Sequence, residues 1–362
     1  MKYVHLILFV TLLLVISNPK LLFAMNNIPA NNSNIQYYGR WDFSNPTAPT
    51  HSWGGVYIYA EFEGTSIGVM VNDNASYFNI FIDDSLFSIF HGTKDTVASY
   101  QLARGLADGN HKILITKRYE TPDAKYSFNG LILDDGKNLL PLPPKPKRKI
   151  EFIGDSYTSA EGNEWTEASK APNDSYSNMY KGFGAVVARH YNAQYHLTSR
   201  SGIGLVQDWE GKSKFNMPDH FDRTLFCCPE PKWDFSKWIP DLVVICLGLN
   251  DYNGWGGYTS PVSPKNSELF KKRYHGFISK INKNYPDVKI LLVAANDVEW
   301  IKQHASEVVV EENKNGNKNV YYTYFPAYED HFVNGGHPDV VADKMMAEQL
   351  IKKIDTMNVW EE

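Results

Sequence analysis

The sequence is poor in cysteine, in long apolar runs and in clustered positive charge. Three cysteines in 362 residues, Cys227, Cys228 and Cys246, are too few for a disulfide-built scaffold. Cys246 continues the run Leu242-Val243-Val244-Ile245 and reads as a buried free thiol. Cys227 and Cys228 are adjacent, with no His or Cys partners at ligand spacing, so no zinc site is expected. The 36 Lys and Arg against 41 Asp and Glu leave a formal net charge of −5, with no long basic run. The electrostatic footprint of a nucleic-acid binder is therefore missing. The one long apolar stretch, Tyr3 to Ile16, is interrupted at Asn18-Pro19-Lys20, short of the roughly 20 residues that a membrane-spanning helix needs. With Lys2 before it and Ala24 after Leu22-Phe23, it has the pattern of a secretory signal peptide over residues 1–24. No Cys stands at the break, which argues against a lipid anchor. A mature chain starting near Met25, extracellular or periplasmic, is the expectation.

What is present suggests two domains, on a prior of roughly 100–200 residues for each. A hydrophobic share of 43% supports a sizeable core, and aromatic residues reach 14% with nine Trp and 22 Tyr. Such aromatics suit stacking on sugar faces and suit β structure equally well. From about Tyr37 to Asp135, short β-branched and aromatic runs alternate with turns: Val56–Phe62, Ser66–Val71, Phe78–Ile82, His111–Thr116 and Leu131–Leu133. That spacing predicts an all-β sandwich over residues 25–139. Residues 140–148, rich in proline, read as a stiff extended linker. Beyond them strands and helices alternate: strands at Ile150–Ile153, Leu242–Leu247, Val288–Ala294 and Val320–Tyr324, and helices at Gly182–Tyr191, Glu268–Asn282, Trp300–Glu311 and Asp339–Ile354. This predicts an α/β domain over 149–362, with a parallel sheet covered on both faces.

Ligand sites of such sheets form beyond the carboxyl ends of the strands. Gly154-Asp155-Ser156 follows the first strand of this domain, and a helix start after Ser156 would aim N–H groups at a developing negative charge. Gly248-Leu249-Asn250-Asp251 closes the Leu242–Leu247 strand, and the Asn250 amide is a neutral donor. His337, in Gly335-Gly336-His337-Pro338-Asp339, precedes the last helix, with Pro338 expected at its first position and Asp339 in its first turn. Ser199-Arg200-Ser201-Gly202-Ile203-Gly204 adds a glycine whose backbone can donate, Gly202 or Gly204. A nucleophile, a proton acceptor and preorganised donors are what acyl transfer requires.

At these residues the domain resembles the SGNH (GDSL-type) hydrolases. Ser156, Gly202, Asn250 and His337 stand for that family's four marks. The first domain, through Tyr38-Gly39-Arg40-Trp41-Asp42 and Phe62-Glu63-Gly64-Thr65-Ser66-Ile67, looks like that of carbohydrate esterase family 2. The resemblance implies a jelly roll packed on a three-layer SGNH domain. It also implies a serine esterase that removes acetyl groups from plant-wall polysaccharides such as xylan and glucomannan. Ser156 would be the nucleophile and His337 the base, with the oxyanion held by Ser156 N–H, Gly202 N–H and the Asn250 amide. No cofactor or metal is expected. The partner would be an acetylated carbohydrate, and neither nucleic acid nor membrane is expected.

One departure stands out. The Asp usually found three or two residues before the His is replaced by Asn334 and Gly335. Either another acid reaches His337, with Asp330 and Asp297 as candidates, or Ser156 and His337 act as a dyad with the imidazole held by a backbone carbonyl. Dyads occur in the family, and a dyad is the expectation. Trp165, Trp255 and Tyr258, in loops after the Ser and Asn motifs, are candidates either for stacking on the sugar or for packing between the domains. The same site would also serve a peptidoglycan O-acetyl esterase or a lipase-like esterase, and the β domain a non-catalytic carbohydrate-binding protein.

Overall fold

The computed structural model describes residues 25–170, 173–333 and 335–360. The signal-peptide expectation and Asn334 lie outside them. The first domain contains β1 (Met25–Pro29), β2 (Gln36–Tyr38), β3 (Thr50–His51), β4 (Tyr57–Asn72), β5 (Tyr77–Ile82), β6 (Ser85–His91), β7 (Ala98–Lys117) and β8 (Tyr126–Asp134). They form one eight-stranded sheet in the order β1-β8-β4-β7-β5-β6, with β2 on β4 and β3 on β8, and every pairing is antiparallel. Along β4, side chains alternate between buried and half-exposed, and Ile58, Ala60 and Phe62 enter the core.

The sequence suggested a turn at Glu63-Gly64 between two strands; the chain instead runs on as the single bent strand β4. Register irregularities between Gly64 and Ser66 and between Ile67 and Gly68 bend the ribbon without ending it. Both halves of β4 thereby contribute to one apolar cluster with Ile80, Ile113 and Leu131. Asp83 and Asp84, both at positive φ (48° and 65°), make the tight turn from β5 to β6.

The second domain carries β9 (Lys149–Gly154), β10 (Gln194–Ser199), the small ribbon β11 (Arg223–Leu225) and β12 (Cys228–Lys232), then β13 (Leu242–Cys246), β14 (Lys289–Ala294) and β15 (Val320–Tyr324). Its main sheet is five-stranded, ordered β10-β9-β13-β14-β15, with every pairing parallel. All five residues of β13 are buried, Cys246 among them, as a strand covered on both faces requires. Val244 and Cys246 pack in the cluster with Phe183 of α1 (Phe183–His190) and Met346 of α6 (Val340–Asp355). Val243 and Ile245 face the opposite cluster, with Phe270 of α4 (Pro264–Asn284) and Val308 of α5 (Glu299–Lys314). The short helices α2 (Met217–His220) and α3 (Leu249–Gly254) complete the domain. Among the described residues no helix is long and apolar enough to cross a membrane.

The two domains share a buried ion pair. Arg40, in the loop after β2, places Nη2 2.8 Å from Glu151 Oε1, and both side chains are essentially inaccessible. Its Nη1 donates to the carbonyls of Phe221 and Arg223. Thr198 Oγ1 (2.6 Å) and Tyr285 OH (3.0 Å) donate to the two Glu151 oxygens. The proline-rich segment carries no regular secondary structure, and it is bonded to both sides. Gln36 Nε2 donates to Pro143 O (2.7 Å) from the first domain, and Gln194 Nε2 to Pro146 O (2.6 Å) from the second.

Breaking a buried pair by removing one partner strands the other charge. Glu151→Leu is expected to lower the unfolding free energy by about 3–5 kcal/mol in urea titrations, and adding Arg40→Met should recover much of that loss.

Candidate active site

The order of the parallel sheet decides where a ligand can bind. Strand β9 comes first in the chain; β10 adds to one side of it and β13 to the other. The order in which strands are added therefore reverses at β9, and the crevice beyond its carboxyl end is the natural site. Gly154 closes β9 and Ser156 follows at once. The regular helix expected after Ser156 is not formed. Residues 156–164 make a series of turns, with Ser159 N–H donating to Asp155 O (2.9 Å) and Glu161 N–H to Ser156 O (3.0 Å). Ala160 (φ 50°) and Gly162 (φ 63°) adopt left-handed backbone, which a right-handed helix cannot contain. Ser156 is buried and Asp155 fully so. Asp155 Oδ1 accepts Tyr157 N–H (3.1 Å), and burial pushes its carboxyl up to about 7.

Beyond β13, Gly248 (φ 125°) turns the chain into α3, which carries Asn250 and Asp251. Asn250 Nδ2 donates to Ile203 O at 2.9 Å, which leaves its second amide hydrogen for another acceptor. Asp251 is wholly buried and accepts the N–H groups of Leu205 (2.8 Å), Val206 (2.7 Å) and Gln207 (3.2 Å). It thereby fixes the loop after β10 beside the nucleophile. That loop separates the two candidate glycines. Gly202 (φ 79°) lines the cavity, whereas a side chain on Gly204 would meet Gln207 O at 2.1 Å and Asp251 Oδ2 at 2.6 Å. Among the described residues, neither Ser156 N–H nor Gly202 N–H donates to a protein acceptor.

His337 does not project from a helix start. It lies in β17 (His337–Pro338), paired with β16 (Phe332–Val333). Asp339 is the N-cap of α6, not part of its first turn, because its carboxylate accepts the N–H groups of Val341 and Ala342 (2.8 Å each). Of the two acids proposed to reach His337, Asp297 pairs with Lys302 (2.7 Å) and Asp330 is exposed. A carboxylate that does approach is Glu161, whose Oε2 is 3.5 Å from His337 Nε2. Among the described residues no hydrogen bond joins Ser156 Oγ to His337, a common looseness of sites without ligand.

Ser156, Gly202, Asn250 and His337 all line one cavity of about 600 Å³, together with Glu161 and Arg200. Of the aromatic candidates, Tyr258 lines it and is 57% exposed. Trp255 turns away and packs edge-on against Trp300, with ring centroids 5.8 Å apart. Trp165 is half-buried outside the cavity, in a turn closed on Gly162 O. Trp209 stands in their place, 53% exposed and pinned by its N–H to Gly202 O (3.0 Å). No local pattern marks Trp209 or Glu161. Asn253, also in the wall, was within reach of helical spacing, one turn after Asn250. Among the described residues there is no cluster of three or more His, Cys, Asp or Glu able to hold a metal.

Comparison with known proteins identifies the family. Residues 37–143 match the family Carbohydrate esterase 2 N-terminal, and residues 152–337 match the GDSL-like Lipase/Acylhydrolase family. A family two carbohydrate esterase from Clostridium thermocellum, solved in complex with cellohexaose, superposes with a TM-score of 0.81 at 31% identity, over 89% of this chain and 98% of that one. The chain belongs to carbohydrate esterase family 2. Among curated members, the cellulase/esterase CelE of Acetivibrio thermocellus is 32% identical over 337 residues, 91% of this chain and 40% of that protein. This family 2 chain thus spans well under half of that relative's length. An acetylxylan esterase / glucomannan deacetylase of Cellvibrio japonicus is 27% identical over 325 residues, 84% of this chain and 85% of that protein.

Asp155 offers a test of the site's electrostatics. Its folded value of about 7 exceeds the usual 3.8, so between about pH 4 and 7 the unfolded chain gives up this proton first, and Asp155 lowers stability as pH rises. The melting temperature of Asp155→Asn, relative to wild type, should therefore climb across that window in calorimetry at a series of pH values. A constant difference would contradict the shift.

Proposed function

We propose that this chain is a secreted serine esterase that removes O-acetyl groups from plant-wall polysaccharide, through an acetyl-serine intermediate at Ser156. The observation that carries the proposal is the convergence of Ser156, Gly202, Asn250 and His337 on one cavity, with two backbone N–H groups there unspent. His337 takes the hydroxyl proton as Ser156 attacks the acetyl carbonyl. The N–H groups of Ser156 and Gly202 and the free Asn250 amide hydrogen receive the oxyanion. His337 then passes the proton to the departing sugar hydroxyl, and water hydrolyses the acetyl-serine.

Ser156 and His337 are read as a dyad, and the Glu161 carboxylate beside the imidazole supplies a counter-charge while His337 is protonated. Trp209 and Tyr258, exposed on the cavity wall, are suited to stack on the sugar ring. The substrate class is supported by the Cellvibrio relative, an acetylxylan esterase / glucomannan deacetylase. Secretion is supported by the apolar stretch that precedes Met25. The β domain, residues 25–139, is read as a jelly roll and residues 149–362 as the SGNH domain, with 140–148 between them.

Acetate release from acetylated xylan and glucomannan tests the proposal. Ser156→Ala should lose about 10⁶-fold in kcat, and retained activity in that variant would end the assignment. Asn250→Ala should cost about 10²–10³-fold in kcat with little change in KM.

A further inference from the structure

The turn that follows β7 belongs to the β domain, yet three consecutive side chains of it enter the hydrolase domain. Arg118 pairs with Glu164 and donates to Ser175 O (3.1 Å). Tyr119 OH lies 2.6 Å from Ser201 Oγ. Glu120, 6% exposed, accepts Ser201 N–H on Oε1 at 2.6 Å and the Ser159 hydroxyl on Oε2. Ser159 is three residues past the nucleophile, and Ser201 immediately precedes Gly202. One carboxyl group therefore ties the nucleophile turn to the oxyanion turn.

The hydrogen bonds around Ser201 and Gly202 show what that tie achieves. Ser201 N–H goes to Glu120, Ser201 C=O accepts Arg200 Nη1 (2.8 Å), and Gly202 C=O accepts Trp209 N–H (3.0 Å). Three of these four backbone groups are held. The fourth, the N–H of the cavity-lining residue Gly202, shares its peptide plane with the Ser201 carbonyl and donates to nothing among the described residues. Rotation of that plane would break the Ser201 C=O bond to Arg200, and the held Ser201 N–H and Gly202 C=O fix the planes on either side of it.

We infer that Glu120, with Tyr119, is a positioning residue of the β domain that holds the Ser201–Gly202 peptide in its oxyanion-binding orientation relative to Ser156. The inference rests on the esterase reading above and adds to it that the hydrolase site is completed by the neighbouring domain. Burial pushes the Glu120 carboxyl up to about 7, so below neutral pH it braces the loop without bringing a negative charge near the oxyanion. A glutamine can do the same, its carbonyl accepting Ser201 N–H and its amide donating to Ser159 Oγ.

The test combines kinetics on a chromogenic acetate ester with hydrogen exchange of the peptide containing Ser201 and Gly202, for the wild-type chain, Glu120→Ala and Glu120→Gln. Glu120→Ala should lose about 10²-fold in kcat with KM within about threefold of wild type, and the 201–202 amides should exchange faster. It should also weaken a trifluoromethyl ketone, which forms a tetrahedral oxyanion adduct, by the factor lost in kcat/KM. Glu120→Gln should restore kcat to within severalfold at slightly acidic pH, with slow exchange. Wild-type kcat in Glu120→Ala, unchanged exchange, or equal losses in the Ala and Gln variants would each overturn the inference. If Glu120→Ala does not fold, Tyr119→Phe removes one hydroxyl and no buried charge; it should speed exchange and lower kcat severalfold, and wild-type values for both would overturn the inference. An inactive wild-type chain would end the esterase reading alone, and the exchange measurement would then decide whether the loop is braced.

Discussion

Glu151 lies in the middle of β9, the strand that ends at the nucleophile, and its ion-paired carboxylate is wholly shielded from solvent. Left alone it would be strongly unfavourable in the centre of a parallel sheet. The Arg40 guanidinium, delivered by the other domain, together with Thr198 and Tyr285, makes it tolerable. The hydrolase sheet is thus electrostatically incomplete without the β domain. Aromatic rings close the arrangement: the Arg40 guanidinium carbon lies 5.0 Å from the Phe221 ring centre and 5.2 Å from that of Trp233, a setting that suits a weakly hydrated planar cation.

The site itself is an assembly of loops, each fixed by a side chain that does no chemistry. Asp251 gathers three N–H groups of the loop after β10. Asp343 of α6 accepts the amide of Asn163, in the nucleophile turns, and Phe183 N–H at the start of α1. Buried carboxylates with several donors act here as knots between segments far apart in sequence. They are costly to bury, and the hydrogen bonds they collect offset that cost. Loops fixed in this way hold their remaining, unspent donors in place, and such donors need no rearrangement when charge develops on a substrate.

Much of this was legible in the sequence, for identifiable reasons. Strands buried on both faces, such as β13, advertise themselves as unbroken apolar runs, and Ser156, Asn250 and His337 stand at strand ends or turns where chemistry is expected. The helix expected after Ser156 failed because Ala160 offers no sequence sign of its left-handed backbone. The turn expected at Glu63-Gly64 failed because a bulge and a turn share the same glycine. Glu120 and Arg40 owe their positions to contacts across tens of residues or more, and no local spacing reports such contacts. In the sequence Arg40 stands out only within the Tyr38–Asp42 motif; its role as the counter-ion of Glu151 follows from the fold.

The proline-rich segment has a consequence for the integrity of the molecule. Ordinary tethers between domains are where proteases cut, and a cut there usually sets two bodies free. Here residues 140–148 lie strapped to both sides, and the seam beneath them is closed by a buried ion pair. A nick in that segment would leave two fragments still clasped as one particle, so the connection that matters for holding the halves together is the seam and not the peptide.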